Sequence, residues 1–425
     1  MISERKNKYF SYILCLISIG YFIYGFLINE NSAGAGGANG DILHTWNNLQ
    51  IFLNNDFHFS INNYYSNRSP LIYVLHNFLN PFIDNQFNFR LSVFYISCLI
   101  PLLFFICLKI KFEKINNSIL LLISSIILFS PYVRTSGYWA LEENFGVISI
   151  LLTYLFFNLF VNNNKFKFLN LFLLIFFSSL CVYFDLKLII FPLIIFFSIL
   201  FLNVDKIFKI LMAALYFLAS IPYLLLIYAW GNIFSPVAAN SHTFSQGLYY
   251  DHIIYILPIL SLYILPFYIL QNKFDWKNIM QNLNFNIIFV ISIILGYLVF
   301  FYNPIELSYH AHVGNGFIFK IGQLIENILL QKIFFFIVSL LSYIFLMIYF
   351  KRKIYDWLII LYFILLSVIT YPLLQEYFDP VIYILTLLFF RTKINFNYNS
   401  SYIFYLLFLS MSLFAKFYYE ATLNV

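Results

Sequence analysis

RKNKYFSYILCLISIGYFIYGFL, residues 5–27, decides the fold. Three bases crowd Arg5, Lys6 and Lys8, and then Tyr9–Leu27 runs without a single charge. About 20 apolar residues are needed to cross the hydrocarbon of a bilayer. A cleavable leader has a shorter apolar region, about 7–15 residues. The stretch therefore reads as a retained membrane span with its basic end in the cytoplasm.

The pattern repeats to the end of the chain. Of 425 residues, 62% are hydrophobic and 10% charged, against about 25% charged in a soluble domain. The sequence predicts an all-α integral membrane protein of about 13 transmembrane helices. They lie near 9–28, 91–108, 117–133, 145–162, 168–184, 187–203, 208–229, 252–271, 285–303, 333–350, 355–372, 377–390 and 401–418. They form a single polytopic membrane domain over 1–425, with outer loops at about 29–90, 231–251 and 304–332. The tract WNNLQIFLNND (46–56) has helical apolar spacing and predicts a short surface helix.

Every second connection is short and basic: ERKNK, KIKFEK, NNNKFKF, VDKIFK, NKFDWKN, FKRKIYD and RTK. Short basic loops stay in the cytoplasm. The opposite connections carry all seven histidines. Histidine is neutral at pH 7 and does not direct topology, so this bias points to chemistry on the outer face. The four cysteines, Cys15, Cys98, Cys107 and Cys181, fall inside apolar runs without metal spacing. The net charge of +6 sits in these loops, and no nucleic-acid partner is implied.

Five outer islands carry candidate residues. GGANGDILHTW (36–46) places Asp41 and His44 after Gly34, Gly36, Gly37 and Gly40. Glycine lets backbone turn sharply and approach a ligand. Asp41 reads either as a catalytic carboxylate or as the N-cap of a helix starting at Ile42. SNRSPLIYVLHNFLNP (66–81) offers Arg68, with Tyr73 and His76 on one helical face. SPYVRTSGYWALEENFG (130–146) offers Arg134, Glu142 and Glu143; Arg134 suits a phosphate or a neighbouring glutamate. YFDLKLI (183–189) sets Asp185 beside Lys187 in a tight turn, as a mutual salt bridge or as a site. YNPIELSYHAHVGNGFIFK (302–320) holds His310, His312 and Lys320. The HxH pair could bind a divalent metal, but no third ligand is fixed, so no cofactor is expected.

No Walker A loop, GxGxxG, HExxH or GxSxG occurs. A sugar on a polyprenyl phosphate suits an outer-face enzyme better than a nucleotide sugar. A glycosidase needs an acid and a base. A phosphate leaving group departs without a proton, so one general base on the acceptor hydroxyl is enough. A lone Asp41 fits such a transfer.

These features resemble the GT-C superfamily of lipid-phosphate-sugar glycosyltransferases. GDILH is similar to an acid–acid–Ile–x–His stretch of the dolichyl-phosphate-glucose α-1,2-glucosyltransferase family, and RSPLIYVL resembles the segment that follows it. NSHTFSQGLYY, NPIELSYHAHVGNGFIFK and LLQEYFDP come in the order of similar stretches there. Gly40 stands where that family has its first acid, which leaves Asp41 as the carried-over one. EYFDP lacks the family's arginine before the tyrosine. The resemblance implies a hexosyltransferase that inverts at the sugar and needs no metal. Asp41 would be catalytic, with substrate held by His44, Arg68, Arg134, Glu142, Glu143, Asp185, Lys187, His310, His312 and Lys320. The partners implied are a polyprenyl-phosphate sugar donor, a glycan or lipid-linked acceptor and membrane lipid. A bacterial inner membrane is the expected location, with the N-terminus cytoplasmic. Two alternatives stand beside it. An O-antigen polymerase or ligase would carry an Arg-rich outer loop, whereas the outer arginines here are Arg68, Arg90 and Arg134. A polysaccharide or lipid transporter or flippase would carry mid-span charges and broken helices in matching halves.

Overall fold

The structure, a computed structural model, describes residues 2–31, 38–66, 69–162, 165–233, 235–237, 248–271, 283–302, 316–351, 353–370, 373–375, 378–392, 394 and 396–423. It is helical throughout, with no strand among the described residues. Where the sequence reads as one domain, the chain forms two compact units: residues 1–244 with 411–425, and residues 245–410.

Among the described residues, seven helices are long and apolar enough to cross a membrane: Arg5–Leu27, Gln86–Lys111, Glu143–Asn162, Lys167–Phe184, Lys206–Trp230, Ile328–Phe350 and Tyr398–Tyr418. An eighth span is possible if the bent pair Asn117–Phe129 and Pro131–Tyr138 counts as one. Among the described residues, the thirteen expected spans are therefore not all matched by helices of spanning length. Four more match apolar helices: Leu186–Phe201, Phe285–Phe300 and Ile354–Ile369 are shorter, and the one expected at 252–271 is the 20-residue helix His252–Gln271. A fifth, expected at 377–390, is a turn of α-helix, Val381–Ile384, continued as π-helix, Leu385–Phe389. At 1.5 Å per residue that segment falls far short of about 30 Å of hydrocarbon. It is buried along its whole length, so its apolarity reflects packing against protein.

In the first unit, α1 (Ile2–Leu27) is followed by α2 (Ala38–Asn54), α3 (Phe57–Asn63) and α4 (Leu71–Leu79). The spans continue with α5 (Gln86–Ser97), α6 (Leu99–Lys111), α7 (Asn117–Ser125), α8 (Pro131–Tyr138), α9 (Glu143–Asn162), α10 (Lys167–Phe184), α11 (Ile190–Phe201) and α12 (Lys206–Trp230). α9 and α10 pack against each other most extensively. Phe22, Phe26, Phe94 and Tyr138 stack where α1, α5 and α8 meet.

The residues at the span ends explain how the unit is closed. Glu30 N–H donates to Gly25 O at 2.9 Å and Asn29 N–H to Phe26 O at 3.1 Å, with Asn29 at φ 53°. This is a Schellman stop, with asparagine taking the left-handed position that glycine usually fills. The α7–α8 bend of 65° also follows from sequence. Ser130 caps α8 through Val133 N–H, and Pro131 sits at its first turn, where its missing N–H costs nothing. Contacts gather the connections at one end: Trp139 Nε1 donates to Glu30 O, Arg90 Nε to Tyr138 O, Ser69 Oγ to Tyr183 O, and Trp230 Nε1 to Ile61 O. At the start of α10, Lys167 lies over Phe160 and Phe208.

The second unit has its core at Ile254, Leu298, Val299 and Phe335. Asp356 ties one corner by accepting from Arg391 N–H, Thr392 N–H and the Thr392 hydroxyl. Tyr249 N–H donates to Val368 O, and His252 Nδ1 lies 2.8 Å from Ser367 O.

Candidate active site

The loop after α1 becomes a helical layer. On α2, Ile42, Thr45, Asn48, Leu49 and Phe52 are buried, while Asp41 and His44 are exposed. The surface helix expected at 46–56 is the body of this element. It starts earlier than expected, at Ala38, so Asp41 is not its N-cap. It stands inside the first turn, where a carboxylate is favoured by the helix dipole.

Asn48 organises the neighbourhood of His44. Its Nδ2 donates to Tyr65 O, and its Oδ1 accepts from Tyr65 N–H, both at 2.6 Å. Both backbone groups of Tyr65 are thereby fixed, and its ring stacks on His44 at 5.7 Å. Asn48 also reaches Tyr73 Oη at 3.3 Å. Tyr64 is fully buried against Phe52, Tyr73 and Trp230. Burial pushes its hydroxyl ionisation far above the ordinary range, with Tyr73, Tyr223 and Glu142 adding to the rise.

Glu142 and Glu143 are both buried. Glu143 Oε2 accepts from the Ser136 hydroxyl at 3.0 Å. The Glu142 carbonyl takes the Phe145 amide at the start of α9. Asp185 Oδ2 accepts from Tyr132 Oη at 2.9 Å, and its Oδ1 accepts from Lys187 N–H at 3.0 Å. Lys187 Nζ lies 3.3 Å from Asp185 Oδ2 and keeps 22% of its side chain exposed. The salt bridge foreseen in the turn forms, and Tyr132 joins it.

Arg134 is fully buried. It holds Glu30 through a two-point pair, Nε to Oε1 at 3.0 Å and Nη2 to Oε2. Its guanidinium lies 3.9 Å from the centre of the Tyr21 ring. Gly25 makes room for it, since a methyl there would come within 2.8 Å of Arg134 Nη2. Arg134 and Tyr132 are two positions apart on α8, so they project about 200° apart. Arg134 turns to α1, and Tyr132 turns to Asp185 and Lys187. The partner of Arg134 is an acid the sequence reading passed over. Its signal was available: an acid just past the end of a span requires a cation or water.

Arg68, His310 and His312 lie outside the described residues, as do Gly34, Gly36 and Gly37. Lys320 lies in the second unit, on the helix Gly316–Gln323, and burial pushes its ammonium down to about 8. Gly316, at φ 78°, seats this helix, and Phe317 N–H donates to Gln375 Oε1 at 2.9 Å. Among the described residues, no group of three or more His, Cys, Asp or Glu could hold a metal ion. No family model, curated protein or solved structure matches the chain.

Proposed function

We propose that the protein is a membrane glycosyltransferase of the GT-C kind, a hexosyltransferase using a polyprenyl-phosphate sugar. One observation carries the reading. An exposed carboxylate, Asp41, sits in the first turn of α2, whose other face is buried, one turn from an exposed histidine stacked on a tyrosine. Asp41 is the general base that takes the acceptor hydroxyl proton as the sugar carbon departs from phosphate. His44 and Tyr65 offer a ring face to a glycan or lipid-linked acceptor. Lys187, the partly exposed cation of the first unit's site, contacts the donor phosphate, with Asp185 setting its position. Arg68, His310, His312 and Lys320 are assigned to the donor by the resemblance. Glu142, Glu143 and Arg134 shape the site from within. The reaction is placed on the outer face of a bacterial inner membrane, with the N-terminus in the cytoplasm and no metal required.

The test is Asp41→Asn in purified protein supplied with polyprenyl-phosphate hexose and membrane acceptor. Transfer is expected to fall roughly 10²- to 10⁴-fold with the folded yield unchanged. Wild-type transfer by a well-folded Asp41→Asn variant would remove the catalytic role.

A second reading is favoured by one feature. The broken helix pair α7–α8, with Arg134 buried beside the break, suits a lipid or polysaccharide transporter. Vesicles loaded with lipid-linked sugar separate the two. The enzyme yields a new glycosidic product, and the transporter moves the sugar lipid unchanged.

A further inference from the structure

A cavity of about 480 Å³ lies between α4 and α5, apart from the residues of the proposed reaction. That is within the usual size of a ligand site. Its walls are mostly apolar, with Leu75, Leu79, Leu91 and Ile96 among them, and they include no Lys or Arg. One polar group there is conspicuous for its chemistry. His76 lines the cavity and is 3% exposed, and its Nε2 has no hydrogen-bond partner.

The surrounding hydrogen bonds fix which nitrogen carries the proton. Phe82 N–H donates to Asn80 Oδ1 at 2.9 Å, so the other amide atom of Asn80 is the NH₂. That group donates to Ser92 Oγ at 2.9 Å and contacts His76 Nδ1 at 3.0 Å. Ser92 spends its own proton on Phe89 O at 2.7 Å. His76 Nδ1 must therefore accept, and Nε2 carries the hydrogen. Burial pushes the ring down to about 4, so it is neutral at pH 7. The result is a buried neutral N–H donor without a hydrogen-bond acceptor, on a residue that lines the cavity and whose ring meets Phe89 and Phe145 edge-on. Leaving such a donor unmet costs about 1–3 kcal/mol.

A neutral donor without a nearby cation does not suit a phosphate, which takes charge-assisted partners. It suits a neutral acceptor such as an ester carbonyl. The approach is greasy: Phe78, Leu79, Phe82 and Tyr95 are 58–77% exposed. Tyr95 belongs to Gln86–Lys111, one of the helices able to cross a membrane. We propose that this cavity binds an ester-linked glycerolipid, with an acyl chain among the leucines and an ester carbonyl accepting from His76 Nε2. The site is independent of the glycosyl-transfer reading.

The test uses the full chain, stripped of lipid in detergent, and phosphatidylcholine carrying a photoactivatable acyl chain. Label is expected on residues 75–96. The ether-linked analogue, which lacks the carbonyl, should label about fivefold less, and His76→Phe should lower ester-lipid labelling by a similar factor. Leu91→Trp, which fills the cavity and leaves the His76 network intact, should abolish it. Thermal unfolding controls for structure. Without lipid, His76→Phe should be no less stable than wild type, and added lipid should raise the wild-type midpoint more. Three results overturn the proposal. One is label absent from 75–96. Another is equal labelling by ester and ether lipids, with His76→Phe unaffected; the N–H then meets only the Phe89 and Phe145 rings. The third is displacement of the label by polyprenyl phosphate at lower concentration than by glycerolipid.

Discussion

Arg134 and Asp41 both stand out in the sequence as charges next to apolar runs, and the fold treats them in opposite ways. Arg134 is removed from solvent and matched by Glu30, by the Tyr21 ring and by space left at Gly25. Asp41 stays exposed on a helix whose other face is buried. The contrast separates two jobs for a charge at a membrane edge. A charge sealed with its counter-ion holds helices in register. A charge exposed on a rigid support is the one the proposed reaction would use.

The largest expected effect breaks the sealed corner. Glu30→Gln strands the guanidinium in the protein, and losing one partner of a buried pair costs about 3–5 kcal/mol. Thermal unfolding should show that loss. The double variant Glu30→Gln/Arg134→Met should recover part of it, because no charge is then left unmatched. Additive losses would mean that the pair is not a unit.

An intermediate effect comes from His76, which is buried like Arg134 but uncharged. Its pKa falls from about 6.5 in the unfolded chain to about 4 in the fold. Between those values the unfolded chain binds more protons, so stability is full above about 6.5 and declines as pH falls toward 4. Lowering pH from 7.5 to 5 should weaken the seating of α4 by on the order of 2 kcal/mol. Faster amide exchange across Leu71–Leu79, absent in His76→Phe, is the expected reading. An unchanged rate at pH 5 would mean that the ring is not sealed from water.

The smallest structural effect belongs to Asp41. An exposed first-turn carboxylate contributes typically 0.3–1 kcal/mol through the helix dipole. Asp41→Asn should therefore shift the unfolding midpoint by a degree or two at most, while transfer falls as described above. A large loss of stability would place Asp41 with Arg134, as a structural charge.

Much of this was legible in the chain. The span expected at 117–133 runs through Ser130–Pro131, a pair that favours a helix start, and the fold bends there. The helical spacing after Asp41 became α2, and Tyr73 and His76 share the buried face of α4. The run at 377–390 misled, because a segment buried in protein and one buried in lipid have the same composition. The start of α2 misled too, since Asp caps helices and also sits well in a first turn.

What the sequence determined by itself was the class of the protein, all-helical with apolar helices long enough to cross a membrane. Hydrophobicity and loop charge act locally, and twenty residues suffice to express them. Only the tertiary structure decided which charges are buried and with which partner. Glu30 lies 104 positions from Arg134, and Asp185 lies 53 from Tyr132. No local pattern joins such pairs. The cost of an unmatched charge out of water falls due only when the helices pack, and packing therefore selects the partner.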